Sequence, residues 1–286
     1  MAMPELPEVE VIARGLVPVL VGQRLHRLAV SGKPLRSFAG RITPLKPLEG
    51  QRLVGLSRRA KTLIWTFEPH WLAIHLGMSG VLRWQPSPVE NALPAHCHLR
   101  CWWEHGELWF VDPRRFGDIR LARRPQGVHT PHDSPLPASL VGQAGQGWEP
   151  LSATLTPQAF AGSAKGVRQA IKVWLMKGDP LVGVGNIYAS EALHRAGIHP
   201  ARPAGRVSAA RLHQLLQAIR VVLEEAIAAG GSTLRDYRHA DGGTGQYAGA
   251  HRVYDRAGEP CPSCGQAIRR MVQAQRASFY CPACQR

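Results

Sequence analysis

From Glu5 to Leu20 the apolar residues Leu6, Val9, Ile12, Ala13 and Leu16 recur at helical spacing, with acidic residues ahead of and inside the first turn. The period predicts an amphipathic helix beginning almost at the start of the chain, its acids placed where the helix dipole favours negative charge. Between Gln23 and Arg124 the pattern changes to short runs rich in Val, Leu, Ile and Trp: Leu63 to Phe67, Trp71 to Leu76, Leu99 to Trp103 and Leu108 to Val111. Gly, Pro and Asn punctuate them. Such runs predict an antiparallel β-sandwich or barrel. Residues 125–150 carry nine Pro or Gly in 26 positions, too many for a regular element, and are expected to be an interdomain linker.

Helical periodicity returns beyond the linker. Val167, Ile171 and Trp174 form one apolar stripe, and Leu212, Leu215, Leu216, Ile219, Val222, Leu223 and Ile227 form a longer one. After Gly230 the chain becomes polar and glycine-rich through Ala250, then ends in a cysteine-bearing segment. The expected division is therefore a β-sandwich domain over 1–124, a linker over 125–150, a helical domain over 151–250 and a compact terminal segment over 251–286. The fold class is α+β.

Charge narrows the class of partner. Lys and Arg outnumber Asp and Glu by 35 to 20 among 286 residues, a formal net charge of +15 spread along the whole chain. A folded basic surface suits a polyanion, although a generally basic protein would look the same. No run approaches the roughly 18 to 20 uninterrupted apolar residues of a membrane span, and no secretory signal pattern opens the chain, so a cytoplasmic location is expected.

Four of the six cysteines fall as Cys261-x2-Cys264 and Cys281-x2-Cys284, with 16 residues between the pairs, while Cys97 and Cys101 stand apart. Two tight turns carrying soft thiolates, joined by a stretch long enough for a hairpin, predict one tetrahedral Zn²⁺ site. Four cysteines leave no open coordination position, so one structural zinc ion is expected. Arg269, Arg270 and Arg276 make the hairpin a cationic zinc finger suited to phosphates. Lys165, Arg168 and Lys172 are spaced to share the helix face opposite Val167, Ile171 and Trp174; alone they would read as a solvated face. Gly183-Val184-Gly185-Asn186 opens into a helical pattern that Asn186 can cap, where a phosphate could meet free backbone N–H groups; an ordinary turn before a capped helix reads alike.

Specific resemblance begins with Pro4-Glu5-Leu6-Pro7-Glu8-Val9-Glu10. With it, in order, come Arg58-Arg59-Ala60-Lys61, His75-Leu76-Gly77-Met78-Ser79-Gly80, Asp112-Pro113-Arg114-Arg115-Phe116-Gly117, Gly183-Val184-Gly185-Asn186-Ile187-Tyr188-Ala189 and Gln275-Arg276-Ala277-Ser278-Phe279-Tyr280-Cys281. Together these six segments resemble the formamidopyrimidine-DNA glycosylase family over essentially the whole chain from Pro4 onward. The resemblance implies an N-terminal β-sandwich flanked by helices, a C-terminal helix-two-turn-helix domain and a β-hairpin zinc finger. It implies base-excision repair of oxidised purines (8-oxoguanine and formamidopyrimidines) in double-stranded DNA, with lyase activity at the abasic site.

The family's roles carry over residue by residue. Pro4 would be the secondary-amine nucleophile and Glu5 the general acid at the sugar ring oxygen, with Lys61 and Arg276 serving the elimination steps or the phosphates. Met78 and Phe116 would fill the gap left by the extruded base, and Arg114 would face the orphaned cytosine. His96, Arg168, Asn186 and Tyr254 would contact DNA, and the polar stretch from Ser232 to Gly249 would cover the extruded base. A monomer associated with the bacterial nucleoid is implied as well. Met1-Ala2-Met3 departs from the pattern, because a chain that retained them would make the Pro4 nitrogen a tertiary amide. Two other functions stand beside this one: a non-catalytic lesion-binding protein if Pro4 is blocked, and an endonuclease VIII-like enzyme acting on oxidised pyrimidines. Leu6 and the Met78, Arg114, Phe116 set favour the purine enzyme.

Overall fold

The computed structural model describes residues 3–35, 45–86, 94–125, 136–141, 147–232 and 245–286. They form two compact units, Met1–Gln143 with Gly230–Gly245, and Ala144–Ala229 with Gln246–Arg286.

In the first unit the helix anticipated from periodicity is α1 (Leu6–Leu20), and it buries Leu6, Val9, Ile12, Ala13, Leu16 and Leu20. Among the described residues eight strands follow: β1 (Leu25–Val30), β2 (Gly55–Arg59), β3 (Thr62–Thr66), β4 (His70–His75), β5 (Val81–Gln85), β6 (Cys97–Trp103), β7 (Gly106–Val111) and β8 (Asp118–Arg123). They pair antiparallel in two four-stranded sheets, ordered β1-β6-β7-β5 and β2-β3-β4-β8. One apolar cluster draws Val9, Ile12, Leu16 and Leu20 of α1 together with Leu63, Trp65, Leu72 and Ile74 of one sheet and Leu82, Leu99, Leu108 and Phe110 of the other. Trp103 lies 5.7 Å from Trp65 and 6.4 Å from Phe67 between ring centroids, so large aromatic area fills the centre of the sandwich.

Strand β3 is buried at every position instead of alternating. A second cluster explains this. Ile64, Trp71 and Ala73 pack with Leu136 and Leu140, so α2 (Ala138–Val141) covers the outer face of that sheet.

The second unit holds α3 (Pro157–Ser163), α4 (Ile171–Leu175), α5 (Asn186–Arg195) and α6 (Ala209–Ala228). Thr156 and Ser208 cap α3 and α6, accepting from Ala159 N–H at 3.1 Å and Arg211 N–H at 3.4 Å. All seven apolar positions of the longer stripe are buried on α6. The shorter stripe differs from expectation. Val167 lies in a turn between α3 and α4, so no single helix carries Lys165, Arg168 and Lys172 on one face; Lys165 and Arg168 are exposed, but Lys172 is only 2% exposed.

The chain ends in β9 (Arg269–Gln273) and β10 (Arg276–Tyr280), an antiparallel hairpin. Its two-residue turn, Ala274 and Gln275, has positive φ at both positions (45° and 61°), the backbone that matches the right-handed twist of the flanking strands. Only Val253, Cys261, Ile268, Phe279 and Cys281 form its core, too little apolar area to hold such a segment by itself. Among the described residues no helix is long and apolar enough to cross a membrane.

Candidate functional site

Pro4 and Glu5 are buried at the start of α1. The Glu8 carboxylate fixes them from one turn further on: one oxygen accepts from Glu5 N–H at 2.8 Å, and the other from Ser232 N–H at 2.8 Å. Gly231, at φ +82°, has the position of a side chain filled by Glu8, and a Cβ on Gly245 would overlap the Gly231 carbonyl. The two ends of the 231–245 segment therefore meet each other, and Gly231 abuts the carboxylate that holds Glu5. Residues 233–244, the middle of the expected covering stretch, lie outside the described residues.

Lys61 sits on the turn between β2 and β3, where Ala60 takes φ +54°. Arg58 ties that turn to α1 by donating to Glu10 at 3.0 Å and to the Ala60 carbonyl at 3.0 Å. Nearby, His75 Nδ1 accepts from Gly77 N–H at 3.0 Å. Burial, then the positive charges of Lys61 and Arg120, push the His75 pKa down to about 4. The imidazole is thus neutral at physiological pH. Because its folded value lies below that of an unfolded histidine, the stability it contributes is complete above about pH 6.5 and is lost as pH falls through about 4, a total on the order of 3 kcal/mol. Urea midpoints of wild type and His75→Gln should therefore converge with acidification; a gap independent of pH would contradict the assignment.

The loops that carry Met78, Arg114 and Phe116 are tied to one buried carboxylate. Asp112 is fully buried, accepts from Ser79 Oγ and from Gly117 N–H at 2.7 Å, and Ser79 Oγ in turn accepts from Arg114 N–H at 3.2 Å. The Asp112 carbonyl accepts from Arg115 N–H, and its own N–H donates to the His96 carbonyl at 3.0 Å. At Gly77, φ is +63° and a Cβ would overlap the Phe116 carbonyl. Asp112 thus binds two loops through its carboxylate and His96, which has φ +64°, through its backbone N–H. Arg114 and Phe116 stack, guanidinium carbon to ring centroid 4.8 Å, and both are half-buried, as is Met78. None of the three is a core residue. Asp112→Ala strands the Gly117 N–H and the Ser79 hydroxyl in a buried setting and should cost about 1 to 3 kcal/mol in thermal or urea unfolding; Asp112→Asn, which keeps one acceptor, should cost less.

In the second unit Asn186 does not cap α5. Gly185 holds the cap position, Asn186 is the first helical residue, and its Oδ1 accepts from Lys172 Nζ at 2.6 Å. The same ammonium donates to the Ala277 carbonyl at 3.0 Å and to Ser278 Oγ at 2.8 Å, and Ser278 donates on to Gln273 at 2.7 Å. Lys172 thereby fastens the Gly183-Val184-Gly185-Asn186 turn to the strand that begins at exposed Arg276. Tyr254 is held by Glu191, whose carboxylate accepts from the N–H groups of Arg252, Val253 and Tyr254 at 2.8, 3.0 and 2.8 Å. Its ring meets Phe279 at 5.2 Å. Arg168 is exposed, in the segment that precedes α4.

The ligand sulfurs of Cys261, Cys264, Cys281 and Cys284 lie within 4.8 Å of one another, Cys264 and Cys281 at 3.5 Å and Cys261 and Cys284 at 3.9 Å. Four convergent thiols on two turns fit a tetrahedral soft-metal site. Cys101, by contrast, is a buried core thiol with its pKa raised by desolvation, and partly buried Cys97 is raised for the same first reason; neither joins the cluster.

Glu8, Ser79, Asp112, Lys172 and Glu191 did not emerge as site residues from the sequence. Glu8 had a usable signal, lying three residues after the helix-capping Glu5. The others are defined by partners distant in the chain.

The chain is similar to known proteins over almost its whole length. Residues 3–119 match the formamidopyrimidine-DNA glycosylase N-terminal domain, residues 146–238 match the formamidopyrimidine-DNA glycosylase H2TH domain, and residues 258–286 match the zinc finger found in FPG and IleRS. A formamidopyrimidine-DNA glycosylase of Burkholderia thailandensis is 43% identical over 290 residues, covering 99% of this chain and all of its own. Among solved structures, the MutM (FPG) protein of Thermus thermophilus superposes with a TM-score of 0.82 at 38% identity, covering 99% of this chain and 98% of its own. A Lactococcus lactis FPG mutant in complex with DNA containing Fapy-dG gives 0.86 at 31% identity, covering 99% and 100%. Wild-type Lactococcus lactis FPG bound to DNA containing an oxidised pyrimidine gives 0.85 at 31% over the same shares.

Proposed function

Because the chain belongs to the formamidopyrimidine-DNA glycosylase family, we propose that it excises oxidised purines, 8-oxoguanine and formamidopyrimidines, from double-stranded DNA with Pro4 as its nucleophile. It is a base-excision repair enzyme, a DNA glycosylase with abasic-site lyase activity. The observation that carries the assignment of Pro4 is its place: buried beside Glu5 at the start of α1, with its neighbour's N–H held by Glu8.

The chemistry follows from a terminal secondary amine. Its pKa is near ~8, against ~10.4 for a lysine, so a larger fraction is unprotonated at neutral pH. The amine attacks C1′, the glycosidic bond breaks, and the base leaves with a proton. Glu5 protonates the sugar ring oxygen as the ring opens. A secondary amine yields an iminium cation that cannot be neutralised by losing an N–H proton, so it acidifies C2′ and drives β-elimination of the 3′ phosphate, then δ-elimination. Lys61 and Arg276 position the phosphates for these steps.

Removing a base from the stack leaves a gap and an unpaired partner. Met78 and Phe116 fill the gap, and Arg114, preset by its stacking on Phe116, offers its donors to the orphaned cytosine. His96, Arg168, Asn186 and Tyr254 contact the backbone. These roles divide between a catalytic sandwich domain (1–124) and, after the 125–150 linker, which is not free of regular structure because its α2 packs on the sandwich, a helical domain (151–250) and a zinc finger (251–286). Cys261, Cys264, Cys281 and Cys284 would hold one Zn²⁺, which would brace the finger and, with four thiolates around it, would leave no position for a reacting group. The protein works as a monomer in the bacterial cytoplasm, on the nucleoid.

The test is single-turnover excision on duplexes carrying 8-oxoguanine opposite cytosine or thymine glycol opposite adenine. Faster release of 8-oxoguanine supports the purine reading, and preference for thymine glycol replaces it with the endonuclease VIII-like one. Phosphate contacts by Lys61, Arg168 and Arg276 predict a log–log salt slope of about −2.7, roughly a 40-fold loss of affinity between about 50 and about 200 mM salt. A flat titration would remove these cations from the interface.

A further inference from the structure

Helix α5 starts at Asn186 and, in its last turn, carries a histidine into the cysteine cluster. His194 is 5% exposed, and its Nε2 lies 3.4 Å from Cys261 Sγ. Its other ring nitrogen, Nδ1, is buried and meets no hydrogen-bonding partner among the described residues. These facts together favour the tautomer protonated on Nε2. A proton on Nδ1 would be a buried donor without an acceptor and would turn the Nε2 lone pair toward the sulfur, whereas a proton on Nε2 satisfies the donor and leaves only a weak acceptor unpaired.

We propose that His194 is an outer-sphere partner of the zinc site, donating its Nε2–H to the Cys261 sulfur and thereby strengthening metal retention. The inference rests on the reading of the four cysteines as a zinc site. A zinc ion with four thiolates carries a net charge of −2, and a hydrogen bond to one sulfur draws off part of that charge while orienting the ligand. His194 is not itself needed as a ligand, since four convergent thiols suffice for a tetrahedral site.

The contact also explains how the finger is secured. Helix α5 meets it at three levels: Lys172 joins Asn186 to Ala277 and Ser278 at the first turn, Glu191 clasps residues 252–254 in the middle, and His194 reaches Cys261 at the end. Only the last of these touches a metal ligand. His194 is therefore a positioning residue through which metal occupancy bears on the helix that presents Asn186.

The experiment uses the full-length protein. Zinc content is measured first, then the rate of zinc transfer to a chromogenic chelator for wild type, His194→Phe, which keeps the ring shape without a donor, and His194→Gln, which keeps an N–H donor near the Nε2 position. We expect one zinc per chain, release from His194→Phe faster by roughly 10- to 100-fold, and release from His194→Gln close to wild type. Nitrogen-15 NMR of wild-type protein loaded with cadmium-113 should place the His194 proton on Nε2 with coupling to the metal, a readout that needs no folded variant. Release from His194→Phe at the wild-type rate, or a proton on Nδ1, overturns the inference while leaving the zinc site intact. A wild-type chain that purifies without zinc and cannot be loaded overturns the zinc reading and the inference with it.

Discussion

Protein whose chain starts at Pro4 should be trapped on 8-oxoguanine duplex DNA by borohydride, whereas protein retaining Met3 should give no adduct. The expected loss is on the order of a thousandfold or more, because the change removes the nucleophile itself and leaves no lesser version of it. With a residue before it, the Pro4 nitrogen is a tertiary amide whose lone pair is delocalised into the carbonyl, and α1 itself carries no lysine to replace it. The sequence carries Met1, Ala2 and Met3 ahead of Pro4, so the experiment compares intact mass with trapping yield on one preparation. Capture of duplex by the blocked form, with salt sensitivity preserved, would show that DNA contacts survive loss of chemistry. That form would be the non-catalytic lesion binder. Equal trapping by both forms would move the nucleophile elsewhere and overturn the role given to Pro4.

Features written in local periodicity were legible without coordinates. Helix α1 was anticipated from Glu5 to Leu20 and spans Leu6–Leu20, and the apolar stripe of α6 is buried at each of the positions named from sequence. The runs at 63–67, 71–76, 99–103 and 108–111 correspond to β3, β4, β6 and β7 within one or two residues. The cysteine spacing foretold a cluster because two short turns bring their own thiols together whatever the surrounding fold.

Long-range partnership was not legible. Asp112 looks like any acid before a proline until Ser79, 33 residues earlier, donates to it. Lys172 looks like a surface cation because its spacing from Lys165 and Arg168 suits a helix; the chain instead turns at Gly166, φ +77°, and starts a new helix at Ile171. Asn186 looks like a cap because asparagine is a good one. Its side chain is instead taken by the ammonium, and the backbone of Gly185 serves as the cap. In each case a buried charge, invisible to hydrophobic periodicity, decided the local geometry.

That buried charge sets the second large effect. Lys172→Met preserves much of the volume and apolar stem but removes the donor from Asn186 Oδ1, the Ala277 carbonyl and Ser278 Oγ. An ammonium is costly to bury, so part of the loss is offset by avoiding its desolvation. Three acceptors robbed of one donor still outweigh that gain, at about 1 to 3 kcal/mol for each that water cannot reach. The variant should lose on the order of 3 kcal/mol of stability, and the loss should fall on the second unit, where all four residues lie. A functional consequence follows from geometry: Asn186 and the strand leading from Arg276 no longer share an anchor, so duplex affinity should drop about tenfold or more even where the protein is fully folded. A cycle with Ser278→Ala separates the two effects. If the Lys172–Ser278 bond matters through positioning, the double variant should bind DNA no worse than Lys172→Met alone, with a coupling energy above about 0.5 kcal/mol. Additive losses would reduce Lys172 to a generic stabiliser of the helical domain and detach it from the presentation of Asn186 and Arg276.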